Sequence, residues 1–106
     1  MKIYIAGPMT GIAELNFPTF HAAAARLRAL GHTVINPAEL NPDPDAKWLD
    51  CMRRDIAELV TCDAVALLPG YSASRGAMIE FGLAEDLGLL AQPVDLFCRV
   101  ADEVPA

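Results

Sequence analysis

The chain has 106 residues, 54% of them hydrophobic, and a formal net charge of −6. That length sets a single domain, residues 1–106, as the expectation, and the apolar content argues against a disordered chain. The acidic balance disfavours a nucleic acid partner, which needs a basic surface, and no run of 18 apolar residues is present to span a membrane.

Met1-Lys2 leads directly into Ile3-Tyr4-Ile5-Ala6, a stretch too short for the apolar core of a secretory signal, so a cytoplasmic protein is expected. Cys51, Cys62 and Cys98 form no C-x-x-C pair and stand beside no histidine, which reads as buried free thiols in a reducing compartment. His21 and His32 are isolated, so no metal site is expected.

Lys2–Ala6 is a short apolar run that ends at Gly7-Pro8-Met9-Thr10-Gly11, the pattern of a buried strand followed by a glycine turn. Pro18–Leu30 reads as a helix, with Asn16 as a candidate N-cap and Gly31 as its stop. His32–Asn36 reads as a second strand closed by Pro37, Pro42–Pro44 as a loop, and Lys47–Val60 as a second helix. Asp63–Leu68 is a third strand halted by Pro69-Gly70. Gly76–Leu87 is a third helix stopped by Gly88, Val94–Phe97 reads as a short fourth strand, and the last residues are expected to fray. Strands alternating with helices imply βαβ units. The expected fold is a flavodoxin-like or Rossmann-like three-layer α/β sandwich with a short parallel sheet, its ligand site beyond the carboxyl ends of the strands. The loops Gly7–Gly11, Asn36–Leu40 and Pro69–Arg75 should meet there.

Two carboxylates interrupt apolar helix faces. On the third helix Ala73, Ala77, Glu80, Ala84 and Leu87 share a face, while Glu85 and Asp86 supply acids to the opposite side. A partly exposed glutamate stabilised by the helix N-terminus fits this pattern, and so does a functional acid. On the second helix Asp55 falls among Trp48, Met52 and Leu59, away from Lys47, Asp50, Arg53, Arg54 and Glu58. An ionised aspartate there is costly unless it is paired or functional, and a salt bridge to a neighbouring arginine is one such pairing. Two acids at one cleft suit chemistry at a sugar carbon, one as nucleophile and the other handling protons.

Two loops fit an anion. Gly7 and Gly11 let backbone N–H groups approach a ligand, although the segment is neither G-x-G-x-x-G nor a Walker A loop and a plain strand-to-helix turn explains it equally. In Ser72-Ala73-Ser74-Arg75-Gly76 either serine can cap the following helix, Arg75 adds a cation, and Gly76 permits close approach. An ordinary cap beside a solvated arginine fits as well.

These segments resemble the nucleoside 2-deoxyribosyltransferases and the related 2'-deoxynucleoside 5'-phosphate N-hydrolases. The opening strand Lys2-Ile3-Tyr4-Ile5-Ala6-Gly7 is similar to theirs, and its tyrosine, which supports the nucleophile in those families, falls on Tyr4. Arg54-Asp55-Ile56-Ala57-Glu58-Leu59 followed by Cys62-Asp63-Ala64-Val65 resembles the helix that carries their catalytic aspartate, here Asp55. Ser74-Arg75-Gly76-Ala77-Met78-Ile79-Glu80-Phe81-Gly82-Leu83-Ala84 resembles their nucleophile motif, with Gly76, Gly82 and Ala84 at the family's small-residue positions. The resemblance spans residues 2–90. The run Ala-Gly-Pro-Met-Thr-Gly is similar to a group of uncharacterised small bacterial and phage proteins with a domain of unknown function. Pro69-Gly70 and Arg75-Gly76-x-x-x-Glu80 partly echo cytokinin-type phosphoribohydrolases, without the fuller Gly-Gly-x-Gly-Thr loop.

The resemblance implies cleavage or exchange of an N-glycosidic bond in a (deoxy)nucleoside or its 5'-monophosphate, with no cofactor. Glu80 would be the nucleophile, Asp55 the proton donor and Tyr4 the residue that orients Glu80. Gly7, Thr10, Ser74, Arg75 and Gly76 would hold sugar and phosphate. Transferases often have an aspartate at the position of Ser74, whereas the nucleotide hydrolases have a serine that binds the 5'-phosphate, so a monophosphate is favoured. Relatives complete the site with C-terminal residues of a partner subunit, which implies a homodimer or higher homo-oligomer, although residues 89–106 match nothing in them. A nucleotide sensor without catalysis, or an interaction module of the same fold, is the alternative.

Overall fold

A computed structural model describes residues 1–103 of the chain. Four parallel strands, β1 (Lys2–Ala6), β2 (Thr33–Ile35), β3 (Ala64–Leu67) and β4 (Leu90–Pro93), form one sheet in the order β2-β1-β3-β4. Tyr4 pairs with Ile35 on one side and with Val65 on the other, so β1 is flanked along its length. The helices are α1 (Phe17–Ala29), the single-turn α2 (Pro37–Leu40), α3 (Trp48–Leu59), α4 (Arg75–Asp86) and α5 (Val94–Glu103). Short 3-10 turns occupy Ala13–Asn16 and Tyr71–Ala73. The arrangement is the flavodoxin-like α/β sandwich expected from the sequence. No helix among the described residues is long and apolar enough to cross a membrane.

Period-two alternation along β1 divides the core. Ile3 and Ile5 face a cluster with Phe20, Ala24 and Leu27 of α1 and Val94, Phe97 and Cys98 of α5. Tyr4 and Ala6 face the other cluster, with Leu59 of α3 and Ala77 and Ala84 of α4. The first crossover runs over one face and the next two over the other, so the chain reverses direction beside β1. Loops diverge from the carboxyl edge at such a point and leave a crevice.

The C-terminal part departs from the sequence expectation. The fourth strand is Leu90–Pro93, and Val94–Phe97 begins a helix. Val94, Phe97 and Cys98 lie at helical spacing on one buried face, and that packing overrides the strand preference of a β-branched and an aromatic residue. Pro93 is tolerated because β4 is an edge strand that pairs only with β3. The expectation of fraying falls partly on residues 104–106, which lie outside the described residues.

Asn16 holds the N-cap position of α1 without capping it. Its φ is 61°, the last of three left-handed residues after Glu14 and Leu15, and its Nδ2 donates to the Pro8 carbonyl at 2.9 Å. That bond ties the first loop to the start of α1. At the carboxyl end of β1, a Cβ on Gly7 would lie 2.7 Å from Leu68 Cβ, so only glycine allows this approach. Gly7→Ala should therefore destabilise the fold by about 1–3 kcal/mol through overpacking. A Cβ on Gly82, inside α4, would meet nothing within 4 Å, so Gly82→Ala should be neutral or stabilising by up to about 1 kcal/mol. Thermal unfolding of the two variants checks the contrast.

Candidate active site

A cavity of about 250 Å³ opens at the carboxyl edge of the sheet, on the α3/α4 face. Gly7, Met9 and Thr10 reach it from the first loop, and Pro37 from α2. Pro44 and Ala46 come from the next loop, Asp55 with Trp48, Cys51 and Met52 from α3, and Ser74, Gly76, Ala77 and Glu80 from the start of α4. Tyr4 lines its floor from the middle of β1. The three segments expected to converge do so in part, since Pro69, Gly70, Tyr71 and Ser72 instead line a separate cavity towards α1 and α5.

Glu80 is 4% exposed, Asp55 7% and Tyr4 0%. Neither acid is the exposed or ion-paired residue that would explain its helix position structurally. Glu80 Oε2 accepts a short hydrogen bond from the Tyr4 hydroxyl. Asp55 Oδ1 accepts from Asn41 Nδ2 at 2.7 Å, and no ion pair joins it to an arginine among the described residues. The expected salt bridge is replaced by an amide, because Arg54 Nε donates to Asn41 Oδ1 at 2.8 Å.

Burial raises the pKa of both acids, since a desolvated carboxylate is costly. Desolvation dominates at Glu80, partly offset by the Tyr4 bond and reinforced by Asp55, and places it at about 8. Desolvation likewise dominates at Asp55, offset by Asn41, then Arg54 and Tyr4, and places it at about 6. The Tyr4 phenol is driven upward by burial and by both acids, so it remains a hydrogen-bond donor at neutral pH. Between pH 6 and 8 the two carboxyl groups thus hold one proton between them.

Ser74 caps α4 by accepting from the Ala77 N–H at 3.2 Å, which leaves its hydroxyl proton free to donate. Arg75 does not line the cavity. Its guanidinium stacks on the Trp48 ring, 4.6 Å from the centroid, and steadies an indole that does line it. Gly76 has a spatial reason, because a Cβ there would lie 3.1 Å from Met52 Sδ. Cys62 and Cys98 are buried as expected, whereas Cys51 is half-buried on the cavity wall. Among the described residues no three His, Cys, Asp or Glu side chains converge as a metal site requires. Sequence reasoning missed Asn41 and the wall formed by Trp48, Met9 and Phe20. Asn41 stands in a loop without periodicity, so only its buried contacts distinguish it.

The four-stranded parallel sheet with a cavity at its carboxyl edge is that of a nucleoside 2-deoxyribosyltransferase-like domain, on the strength of a family match and a likeness to a solved structure. The chain belongs to the family described as Domain of unknown function (DUF4406), which matches residues 1–92. Among solved structures it is similar to the 2-deoxyribosyltransferase of the psychrotolerant bacterium Bacillus psychrosaccharolyticus, a biocatalyst for nucleoside synthesis. The two share 25% identity with a TM-score of 0.66, over 86% of this chain and 69% of the other. No curated protein matches the sequence.

Burial of Glu80 has a consequence for stability. Its folded pKa of about 8 stands above the ordinary 4.5, so the fold holds this proton more tightly than the unfolded chain does. The stabilisation is complete below about pH 4.5 and is lost as pH rises through 8. Glu80→Gln, which cannot ionise, should melt close to wild type at pH 5 and well above it at pH 9. The gain there is on the order of a few kcal/mol, and melting curves at the two pH values measure it.

Proposed function

We propose that this protein cleaves or exchanges the N-glycosidic bond of a nucleoside or nucleoside 5'-monophosphate through Glu80. The observation that carries the reading is the pair of buried carboxyl groups, Glu80 and Asp55, at one open cavity with the Tyr4 hydroxyl bonded to Glu80. The likeness to a 2-deoxyribosyltransferase that serves as a biocatalyst for nucleoside synthesis supports it. An interaction module has no need of a cavity lined by two buried acids.

In the proposed reaction a Glu80 oxygen attacks the anomeric carbon and the bond from that carbon to the base nitrogen breaks. The electron pair leaves with the base, and the proton of Asp55 passes to it. The glycosyl ester on Glu80 is then opened by water, whose proton returns to Asp55, or by a second base. Positive charge on the sugar during attack favours an ionised Glu80, and Tyr4 holds that carboxylate in place. Apolar walls from Trp48, Met52 and Pro37 suit a flat base, while Gly7, Thr10, Ser74 and Gly76 line the region assigned to sugar and phosphate. Arg75, stacked outside the cavity, contributes a rim charge and fixes Trp48.

With Glu80 at about 8 and Asp55 at about 6 the shared proton rests mainly on Glu80, so the active form is the minor tautomer that carries it on Asp55 and leaves Glu80 ionised. Base release should therefore follow a bell-shaped pH profile with limbs near 6 and 8 and a maximum at about pH 7. Glu80→Ala should lower release by several orders of magnitude while the fold persists, because the covalent route is gone. A panel of nucleosides and monophosphates, with free base measured by chromatography, tests both. Unchanged turnover in the folded variant refutes the nucleophile assignment.

The N-terminus of α4, with no acid in its first turn and capped by Ser74, favours a 5'-phosphate over a free hydroxyl. Ser74→Asp keeps the cap but places a negative charge there. Monophosphate affinity should fall roughly tenfold or more, and nucleoside affinity less, in a paired titration of both ligands. Equal losses for the two ligand types count against phosphate recognition at this loop.

A further inference from the structure

Asp55 can deliver a proton productively only if one of its two oxygens carries it reliably. The surrounding hydrogen bonds decide which. Arg54 Nε can only donate, so the Asn41 atom that faces it at 2.8 Å must be the amide oxygen. The amide nitrogen then faces Asp55 Oδ1 at 2.7 Å and the Pro37 carbonyl at 3.1 Å, and its two hydrogens have two acceptors. Asn41 is 5% exposed and its backbone is fixed, because its N–H donates to the Pro37 carbonyl at 2.9 Å and Pro42 follows. Every polar atom of this side chain is therefore used, and none of its contacts survives a flip of the amide.

We propose that Asn41 is a positioning residue that, locked by Arg54, makes Asp55 Oδ1 an obligate acceptor and confines the transferable proton to Oδ2. This rests on the reading of Asp55 as the proton donor in glycosidic bond cleavage. The arrangement also explains why an arginine one residue from Asp55 forms no ion pair with it. A guanidinium placed directly on the carboxylate would favour the ionised form and draw its pKa further below neutral. The interposed amide conveys part of that positive field while leaving the carboxyl protonatable. The other ionisable groups facing Asp55 are Tyr4 from β1 and Glu80 from α4, with Cys51 of its own helix on the same cavity wall.

Replacing Asn41 removes a donor to the carboxylate, so Asp55 should titrate higher. In Asn41→Ala the Asp55 midpoint, followed by the carboxyl carbon resonance of labelled protein, should rise by about one unit or more. The acid limb of the base-release profile should move with it, and kcat should fall about tenfold at nearly constant KM. Arg54→Met, at an exposed side chain, leaves Asn41 in place but frees its amide to flip. It should shift the midpoint in the same direction by less, and it serves if Asn41→Ala does not fold. Arg53→Met, on the polar face of the same helix, should change neither quantity. A midpoint within about 0.2 units of wild type in the folded variants overturns the proposal. A shifted midpoint together with no base release from any nucleoside or monophosphate refutes the glycosidic reading while leaving the coupling of Asn41 to Asp55 established.

Discussion

Placing an ionisable carboxyl group against the middle of a sheet is costly whenever the group ionises, and much of this molecule is arranged around Glu80 on those terms. Tyr4 gives it a donor from the strand itself, at a depth water does not reach. α4 can approach closely enough for that bond because its inward positions are Ala77 and Ala84. Its first turn carries Gly76, where a side chain would crowd Met52 of α3. The same close seating brings Asp55 to the cavity. Loss of the small residues would separate the helices and leave Glu80 in water as an ordinary surface acid.

The sheet divides two tasks between its faces. Towards α1 and α5 its Ile3 and Ile5 pack with Phe20 and Leu27 of α1, large aliphatic and aromatic side chains whose burial supplies much of the hydrophobic stabilisation. On the α3 and α4 side Tyr4, Ala6, Val65 and Leu67 of the sheet meet Leu59, Ala77 and Ala84 of the helices, and the two acids of those helices stand beside an open cavity. Strain sits on the same side of the balance, in the three left-handed residues Glu14, Leu15 and Asn16, of which Leu15 lines the cavity. The apolar face offsets what the other face costs.

Much of this was legible in the sequence because helix periodicity is a strong signal. Glu80 and Asp55 stand out only against the apolar faces they interrupt, and both are buried at one cavity. Tyr4 was recognisable by resemblance alone, since a tyrosine in a buried strand fits an ordinary core equally well. Val94–Phe97 misled because short apolar runs carry both periods, and contact with α1 decided between them. Arg75 was placed in the site by its position at a helix start, but the Trp48 ring captures it, a contact across 27 residues of sequence that no local pattern encodes. Asn41 was invisible for a related reason. Its importance lies in the geometry of three hydrogen bonds, and an asparagine between prolines in a loop gives no hint of them.

The pairing of β1 also ties chemistry to strand alignment. Tyr4 faces the acids only because it stands opposite Ile35 and Val65. A slip of one residue would turn an isoleucine towards Glu80 and bury the phenol among the aliphatic side chains of the opposite face. Tyr4, Asp55 and Glu80 come from β1, α3 and α4, so no stretch of neighbouring elements can assemble the three before the first strand is seated between β2 and β3. Any ligand that requires the three together is in effect a reader of the completed central sheet, blind to compact states in which the helices have docked but the strand is out of step.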